Sequence, residues 1–344
     1  MINCAFIGFG KSATRYHLPY VLIRDDKYHV KTIFDITPKP EIESQPQYQG
    51  IDFTRDVNDI LRDESVRLVV ICTHPDSHFS YAKMCIEHGK NVMVEKPFTT
   101  TVAEAKALLA LARAHQVTVT PFQNRRFDSC FLTVQQVIKS GLLGEIVEIE
   151  SHFDYFRPEA QPQVNHPFNG AFYGLGIHML DQMLALFGRP RQVAYDIRSL
   201  RLSQNPDDTF EAQLYYGDLK AIIKTSHLVM TPYPKFIVHG TRGSFTQMQI
   251  DQQETYLKNN VMPDHPSFCE KNESGVIEYF DEGQHSVKHE VPTVRGDYGR
   301  VYDALYETIV NGAANYVSET DIVTNLEILE GGFKHSTPSV IALD

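Results

Sequence analysis

The chain opens on "INCAFIG", a continuous apolar run, and then shifts to the helical spacing of "SATRYHLPYVLIR". The alternation continues. "HVKTIFD", "RLVVICT", "NVMVEKP" and "VTVTPF" read as strands, and "SHFSYAKMCIEHG" and "VAEAKALLALARAHQ" have the 3.6-residue period of helices. Strands that are apolar throughout, rather than at every second position, are buried on both faces. Residues 1–123 are therefore expected to form βαβ units around a doubly wound parallel sheet.

Beyond "NRRFDSCFLTVQQVIKSGLLG" the pattern changes. "EIVEIESHFDYF", "RQVAYDIRSLRL", "DTFEAQLYYG", "LKAIIKTSHLVM" and "KFIVHGTRGSFTQ" follow one another as strand-like segments with turns between them, and only the stretch around His178 looks helical. Residues 124–344 thus predict an α+β domain built on a large, mainly antiparallel open sheet. Residues 263–296, rich in Pro, Asp, Glu, Ser and His, read as loops with room for a short hairpin. Two helices close the chain, "YGRVYDALYETIVNG" and "SETDIVTNLEILEGGFKHS", the second with a capping signal at Ser318 or Thr320. These helices are free to pack back on the first domain.

Composition narrows the choice of partner. A length of 344 residues suits two domains, and 42% apolar with 22% charged residues describes a folded globular chain. A net charge of −11 argues against a nucleic acid or an anionic membrane as partner. The five cysteines, Cys4, Cys72, Cys85, Cys130 and Cys269, are odd in number, widely spaced and mostly set in apolar runs, which fits buried thiols in a reducing compartment. The first residues lack a basic leader region, and no window approaches a membrane span, so a cytoplasmic location is expected. His152, His166 and His178 do not have metal-ligand spacing, and no metal is assigned.

Candidate chemistry begins at "IGFGKSA", where Gly8, Gly10 and Ala13 form a GxGxxA pattern between the first strand and the first helix. Such a loop brings backbone N–H groups and the positive end of a helix against a pyrophosphate, and the domain is expected to be a dinucleotide-binding Rossmann fold. Asp35, at the end of the second strand, can accept hydrogen bonds from both hydroxyls of an adenosine ribose and would repel a 2′-phosphate, which favours NAD. Thr37 and Lys39 follow closely, and a lysine there could answer the phosphate of NADP, so both cofactors stay open.

With "CTHPDSH" after the fourth strand, "VEKP" at the fifth, "NRRFD…GLLGE" and the GxH pattern at His178, the chain resembles the Gfo/Idh/MocA oxidoreductases, named for glucose-fructose oxidoreductase and inositol dehydrogenase. The resemblance implies that Lys96 lies beside the nicotinamide and the substrate hydroxyl, following a Glu95 that belongs to the cofactor site. It also implies that Thr73 and His78 approach the nicotinamide ribose. A lysine held next to a positively charged ring can be shifted toward its neutral form and can hydrogen-bond the reacting oxygen. Arg126 would contact the nicotinamide end or substrate oxygens, or else form an ion pair at the domain boundary.

Polyol and sugar dehydrogenases of this family usually place an aspartate four residues before the histidine; here that position is Gly174. His178 must then be oriented by Asp181, by Tyr173 or by the substrate, unless it is a core histidine. Tyr173 and Gly174 are expected to border the substrate. The implied activity is hydride transfer between nicotinamide and a hydroxyl or carbonyl of a sugar, polyol or related hydroxy compound, with Lys96 and His178 catalytic. The alternatives are NAD-assisted elimination or glycoside hydrolysis without net redox change, and a catalytically impaired dinucleotide-binding regulator. The resemblance further implies a homodimer or homotetramer.

Overall fold

The structure, a computed structural model, describes residues 1–270, 272–334 and 337–338. It divides into two compact units, one of residues 1–124, 254–268 and 298–323, the other of residues 125–253, 269–297 and 324–344.

The first unit is built on six strands, β1 (Ile2–Ile7), β2 (Tyr28–Phe34), β3 (Asp52–Thr54), β4 (Val66–Ile71), β5 (Asn91–Val94) and β6 (Val119–Pro121). They lie in the order β3-β2-β1-β4-β5-β6, and every neighbouring pair is parallel. The apolar runs end up where such a sheet needs them. Ala5, Phe6, Ile7, Val69, Val70, Ile71, Val92, Met93 and Val94 are fully buried. The order reverses between β1 and β4, so the loops leaving their carboxyl ends flank the crevice where ligands bind in sheets of this kind.

Two helices, Pro75–Glu87 and Val102–His115, return the chain between parallel strands. The second starts on a reciprocal capping box between Thr101 and Glu104. The late helix Arg300–Asn311 also belongs to this unit. Its Tyr302 carbonyl accepts the Tyr28 hydroxyl at 2.7 Å, and its Asp303 takes Arg24 and Lys27 at 3.0 and 2.5 Å.

The second unit carries eight strands, β7 (Ile146–His152), β8 (Gln192–Arg198), β9 (Thr209–Tyr215), β10 (Lys220–Ser226), β11 (Phe236–Gly240), β12 (Gly243–Gln247), β13 (Gly275–Phe280) and β14 (Ser286–Val291). Their order is β14-β13-β12-β11-β7-β10-β9-β8. Every pair is antiparallel except β7 with β10. The segment "KFIVHGTRGSFTQ" is two strands rather than one, folded back at Thr241 and Arg242, and the loop-like stretch after Pro263 contains the β13–β14 hairpin.

One face of this sheet supplies the core through Ile149, Ala212, Leu214, Ala221, Ile223, Phe236 and Val238, all fully buried. Phe131, on the helix Ser129–Ser140, packs its ring 6.3 Å from that of Phe236. The closing helix runs Glu319–Gly331, and Ser318 caps it by accepting the Asp321 N–H at 3.0 Å. The last two positions of that helical pattern, 335 and 336, lie outside the described residues. Among the described residues, no helix is long and apolar enough to cross a membrane.

Candidate active site

β1 ends in the turn that carries Gly8, whose φ of +100° lies in the region that favours glycine. A Cβ there would also stand 2.7 Å from the carbonyl oxygen of Cys72, at the end of β4. Gly10 is the opposite case, since a Cβ on it would meet nothing within 4 Å. The loop thus packs tightly against the sheet at its first glycine and leaves open space at its second, as a loop must where a pyrophosphate lies against the backbone. Ala13 is fully buried in a π-helical turn, Ala13–His17, that leads into Leu18–Val21.

The residue that organises this loop is Glu95. Its Oε1 accepts the Ser12 hydroxyl in a very short hydrogen bond and lies 3.1 Å from Nε2 of the fully buried His17. Its Oε2 accepts the backbone N–H of Lys96 at 2.9 Å. Burial by itself would push this carboxyl up, but the hydrogen bond and charge of His17, the Ser12 hydroxyl and the Lys96 N–H outweigh it and hold the pKa at about 2. One carboxylate therefore ties the helix after the glycine loop to the strand end that presents Lys96. The Lys96–Pro97 peptide is cis. His17 continues the chain of contacts, with Nδ1 2.8 Å from the Tyr302 hydroxyl and its ring 3.8 Å from that of Phe122.

His78 has a similar bracing geometry. It is fully buried, with Nδ1 2.8 Å from the Pro97 carbonyl and Nε2 3.1 Å from the Thr73 carbonyl. It therefore sits between the loop after β4 and the loop after β5; burial keeps its pKa below the usual histidine value, and in the neutral form so favoured its single ring N–H donates to one of the two carbonyls at a time. The Thr73 hydroxyl accepts that of Ser77 at 2.8 Å.

Asp35, buried at the end of β2, accepts the Phe9 N–H at 2.7 Å and the Thr37 N–H at 2.8 Å. Lys39 folds back over it, with Nζ 2.6 Å from Oδ2 and 2.9 Å from the Phe9 carbonyl. Burial raises the Asp35 pKa, but the Lys39 ammonium and the two N–H donors more than offset it, and the carboxyl stays below its usual range.

In the second unit, His178 lies near the start of the helix Ile177–Phe187, directly after a π-helical turn over Phe172–Gly176. Asp207 anchors the entry to that turn, accepting the Phe172 N–H at 2.7 Å on its side chain and the Ala171 N–H at 2.8 Å on its carbonyl. Burial, reinforced by neighbouring Asp208, pushes the Asp207 carboxyl up to about 6. Gly176 has no room to be anything else, because a Cβ there would come within 2.8 Å of the Phe172 ring. A Cβ on Gly174 would meet nothing within 4 Å. The aspartate position is thus vacant but not sterically closed.

Tyr173 is buried with its ring 4.7 Å from that of Phe168, and burial raises its phenol pKa well above the ordinary value. Asp181, itself buried, holds the half-buried Arg126 in a bidentate pair, with both N–O distances 2.8 Å. That geometry commits one edge of the Arg126 guanidinium to the helix that bears His178.

Sequence reading did not identify Ser12, His17 or Asp207. A histidine inside the apolar stretch "YHLPY" was a usable signal for a buried polar network, whereas "PDD" carried none. Among the described residues, no cluster of His, Cys, Asp or Glu could hold a metal ion.

A loop with this arrangement at the reversal point of a parallel sheet, followed by an Asp at the end of β2, is that of a dinucleotide-binding Rossmann domain. Residues 2–123 match the NAD-binding Rossmann-fold model of the Gfo/Idh/MocA oxidoreductase family, and residues 135–341 match the model of its C-terminal alpha/beta domain. The chain belongs to this family and is an enzyme of the dehydrogenase/reductase type. It is 62% identical over 343 residues to the oxidoreductase YhhX of Escherichia coli K12, covering 100% of this chain and 99% of that protein. An oxidoreductase of Bacillus cereus, known from a crystal structure, is 47% identical with a TM-score of 0.96, covering 100% and 99% of the two chains. The scyllo-inositol 2-dehydrogenase (NADP(+)) IolW of Bacillus subtilis is 29% identical over 343 residues, covering 97% and 94%.

Glu95→Gln keeps the shape and removes the charge, and is expected to lower the unfolding free energy by about 3 kcal/mol at pH 7. The folded-state pKa, about 2, lies below the ordinary 4.5, so the stabilisation is complete above 4.5 and is lost as pH falls toward 2. In urea titrations the gap between wild type and variant should hold between neutral and mildly acidic pH and narrow only below 4.5; no gap at neutral pH would contradict the bracing role. Gly174→Ala should raise the unfolding free energy by about 0.5–1 kcal/mol, since it adds helix propensity in open space. Gly176→Ala should cost about 1–3 kcal/mol through overpacking against Phe172. Equal effects at the two positions would contradict the local packing described.

Proposed function

We propose that the protein transfers hydride between NAD(P) and a carbinol or carbonyl carbon of a sugar, polyol or related hydroxy compound, with the first unit holding the cofactor and the second the substrate. The observation that carries this reading is the Glu95 brace, which fixes the backbone of Lys96 to the helix of the glycine loop. Nicotinamide, when bound, supplies the hydride acceptor or donor. Lys96 hydrogen-bonds the reacting oxygen and stabilises its developing negative charge. His178 takes the hydroxyl proton in the oxidative direction and returns it in the reductive one. Gly8, Gly10, Ala13 and Asp35 hold the dinucleotide, with Thr73, His78 and Glu95 shaping its nicotinamide end. Tyr173, Gly174 and Arg126 border the substrate. The family membership and the similarity to IolW, a scyllo-inositol 2-dehydrogenase, support a hydroxylated carbon skeleton.

Asp35 favours NAD, and Lys39 tempers that preference because it neutralises the carboxylate that would otherwise repel a 2′-phosphate. A spectrophotometric screen of polyols, sugars and sugar acids with both nucleotides tests the whole reading. At least one compound should give NAD(P)H, and Lys96→Ala should reduce kcat by about a hundredfold or more. Lys39→Ala should lower kcat/KM with NADP about tenfold while changing that with NAD little. Product formed with no net change in reduced nucleotide would favour the elimination or hydrolysis chemistry instead, and an inert protein would favour a regulator.

We further propose that the chain works in the cytoplasm as a homodimer or homotetramer, paired through the sheet face that carries Glu148, Glu150, Ile222 and Ile237. That face is half-buried rather than fully solvated in the single chain. It is laced by the Lys220–Glu148 and Lys224–Glu211 pairs at 2.6 and 3.5 Å. Light scattering should report at least twice the chain mass of 39.2 kDa; a monomeric mass at micromolar concentration would refute the pairing.

A further inference from the structure

At the amino ends of β4, β5 and β6, the end of the parallel sheet opposite the glycine loop, the first unit has a groove of about 670 Å³. Its polar lining includes Arg62, Arg67, His88 and Lys90, with Glu64 as the only carboxylate among its lining residues. In a chain of net charge −11, this local excess of positive charge is unusual.

Lys90 gives the groove its chemical character. It is only 4% exposed, and its ammonium donates to the Asp63 carbonyl at 2.6 Å. The Asp63 carboxylate does not neutralise it at contact distance, being paired instead with Lys31 at 2.5 Å and bonded to Ser65. A buried lysine is normally paired, because burying an uncompensated charge is costly. Arg62 and Arg67 are exposed at the rim, and neither forms a salt bridge among the described residues. His88 uses Nδ1 within its own helix end, 2.8 Å from the Met84 carbonyl.

We propose that this groove is a second ligand site, one that binds a small organic phosphate monoester. Arg62, Arg67 and Lys90 against one carboxylate complement the charge of a phosphate dianion, and guanidinium forks suit its oxygens in bidentate fashion. Leu61, Val66, Val117 and Ile309 provide an apolar wall for the organic part. The volume falls within the range of about 300–1,000 Å³ typical of small-molecule sites. The Gly8 turn stands at the carboxyl end of β1, whereas the groove lies at the amino ends of β4 to β6, so its ligand does not compete with the dinucleotide.

The test is equilibrium dialysis of the full chain with phenyl phosphate, and separately with inorganic phosphate, at constant ionic strength and with NAD present throughout. Phenyl phosphate should bind with a Kd of about 1 mM or tighter, and more tightly than inorganic phosphate. The exposed-site variant R62E/R67E should weaken it by about tenfold or more without changing the thermal midpoint of the ligand-free protein appreciably. Lys90→Met provides a second test at the base of the groove, with the same expected loss. Binding that is absent, or that is equal in wild type and R62E/R67E, would overturn the proposal.

Discussion

The active-site half of this molecule depends on a single buried carboxylate. Glu95 receives the Ser12 hydroxyl and the His17 ring on one oxygen and the Lys96 N–H on the other, so two loops far apart in sequence are held by one group. A carboxylate out of water is tolerated only where its lone pairs are satisfied, and here hydrogen bonds and the His17 charge keep it ionised despite burial. The consequence is positional. The glycine loop and Lys96 have limited freedom to move independently, which is the preorganisation a hydride-transfer site needs.

His78 extends the same logic to the next pair of loops. It spans the carbonyls of Thr73 and Pro97, and Asp35 does comparable work on the other side by gathering the Phe9 and Thr37 N–H groups. The second unit uses an aspartate differently. Asp207 anchors the entry to the π turn before the His178 helix by accepting the Phe172 N–H, burial raises its carboxyl to about 6, and within the turn Gly176 lies against the rings of Phe172 and Phe210. The vacant space over Gly174 is therefore a feature of a well-anchored segment rather than of a loose one.

The parallel sheet was legible because its central strands carry runs of consecutive apolar residues such as Ala5–Ile7, Leu68–Ile71 and Val92–Val94, whereas its helices alternate apolar and polar faces, a contrast that comes directly from burial on both faces. The antiparallel sheet was legible as a succession of strands, although the parallel contact between β7 and β10 was not, because pairing direction leaves no local trace in composition. In the site, the glycine loop and Asp35 announced themselves through local geometry. The Ser12–Glu95 bond joins residues 83 apart, and the His17–Tyr302 contact joins residues 285 apart; neither separation produces a periodic signal. The engagement of Arg126 by Asp181, 55 residues away, was equally invisible as a bond, although each residue was noticed for itself. Local backbone requirements can be read from a sequence, whereas side-chain networks that cross the fold need coordinates.

The central claim is that the first unit is preorganised to hold a nicotinamide dinucleotide against Lys96. Calorimetric titration of the purified chain with NAD, NADH, NADP and NADPH measures this most directly. The account predicts one nucleotide bound per chain for at least one of the four, with that binding weakened when Gly8 is replaced by valine. If none of the four nucleotides produced measurable heat or association at millimolar concentration, the claim would be contradicted.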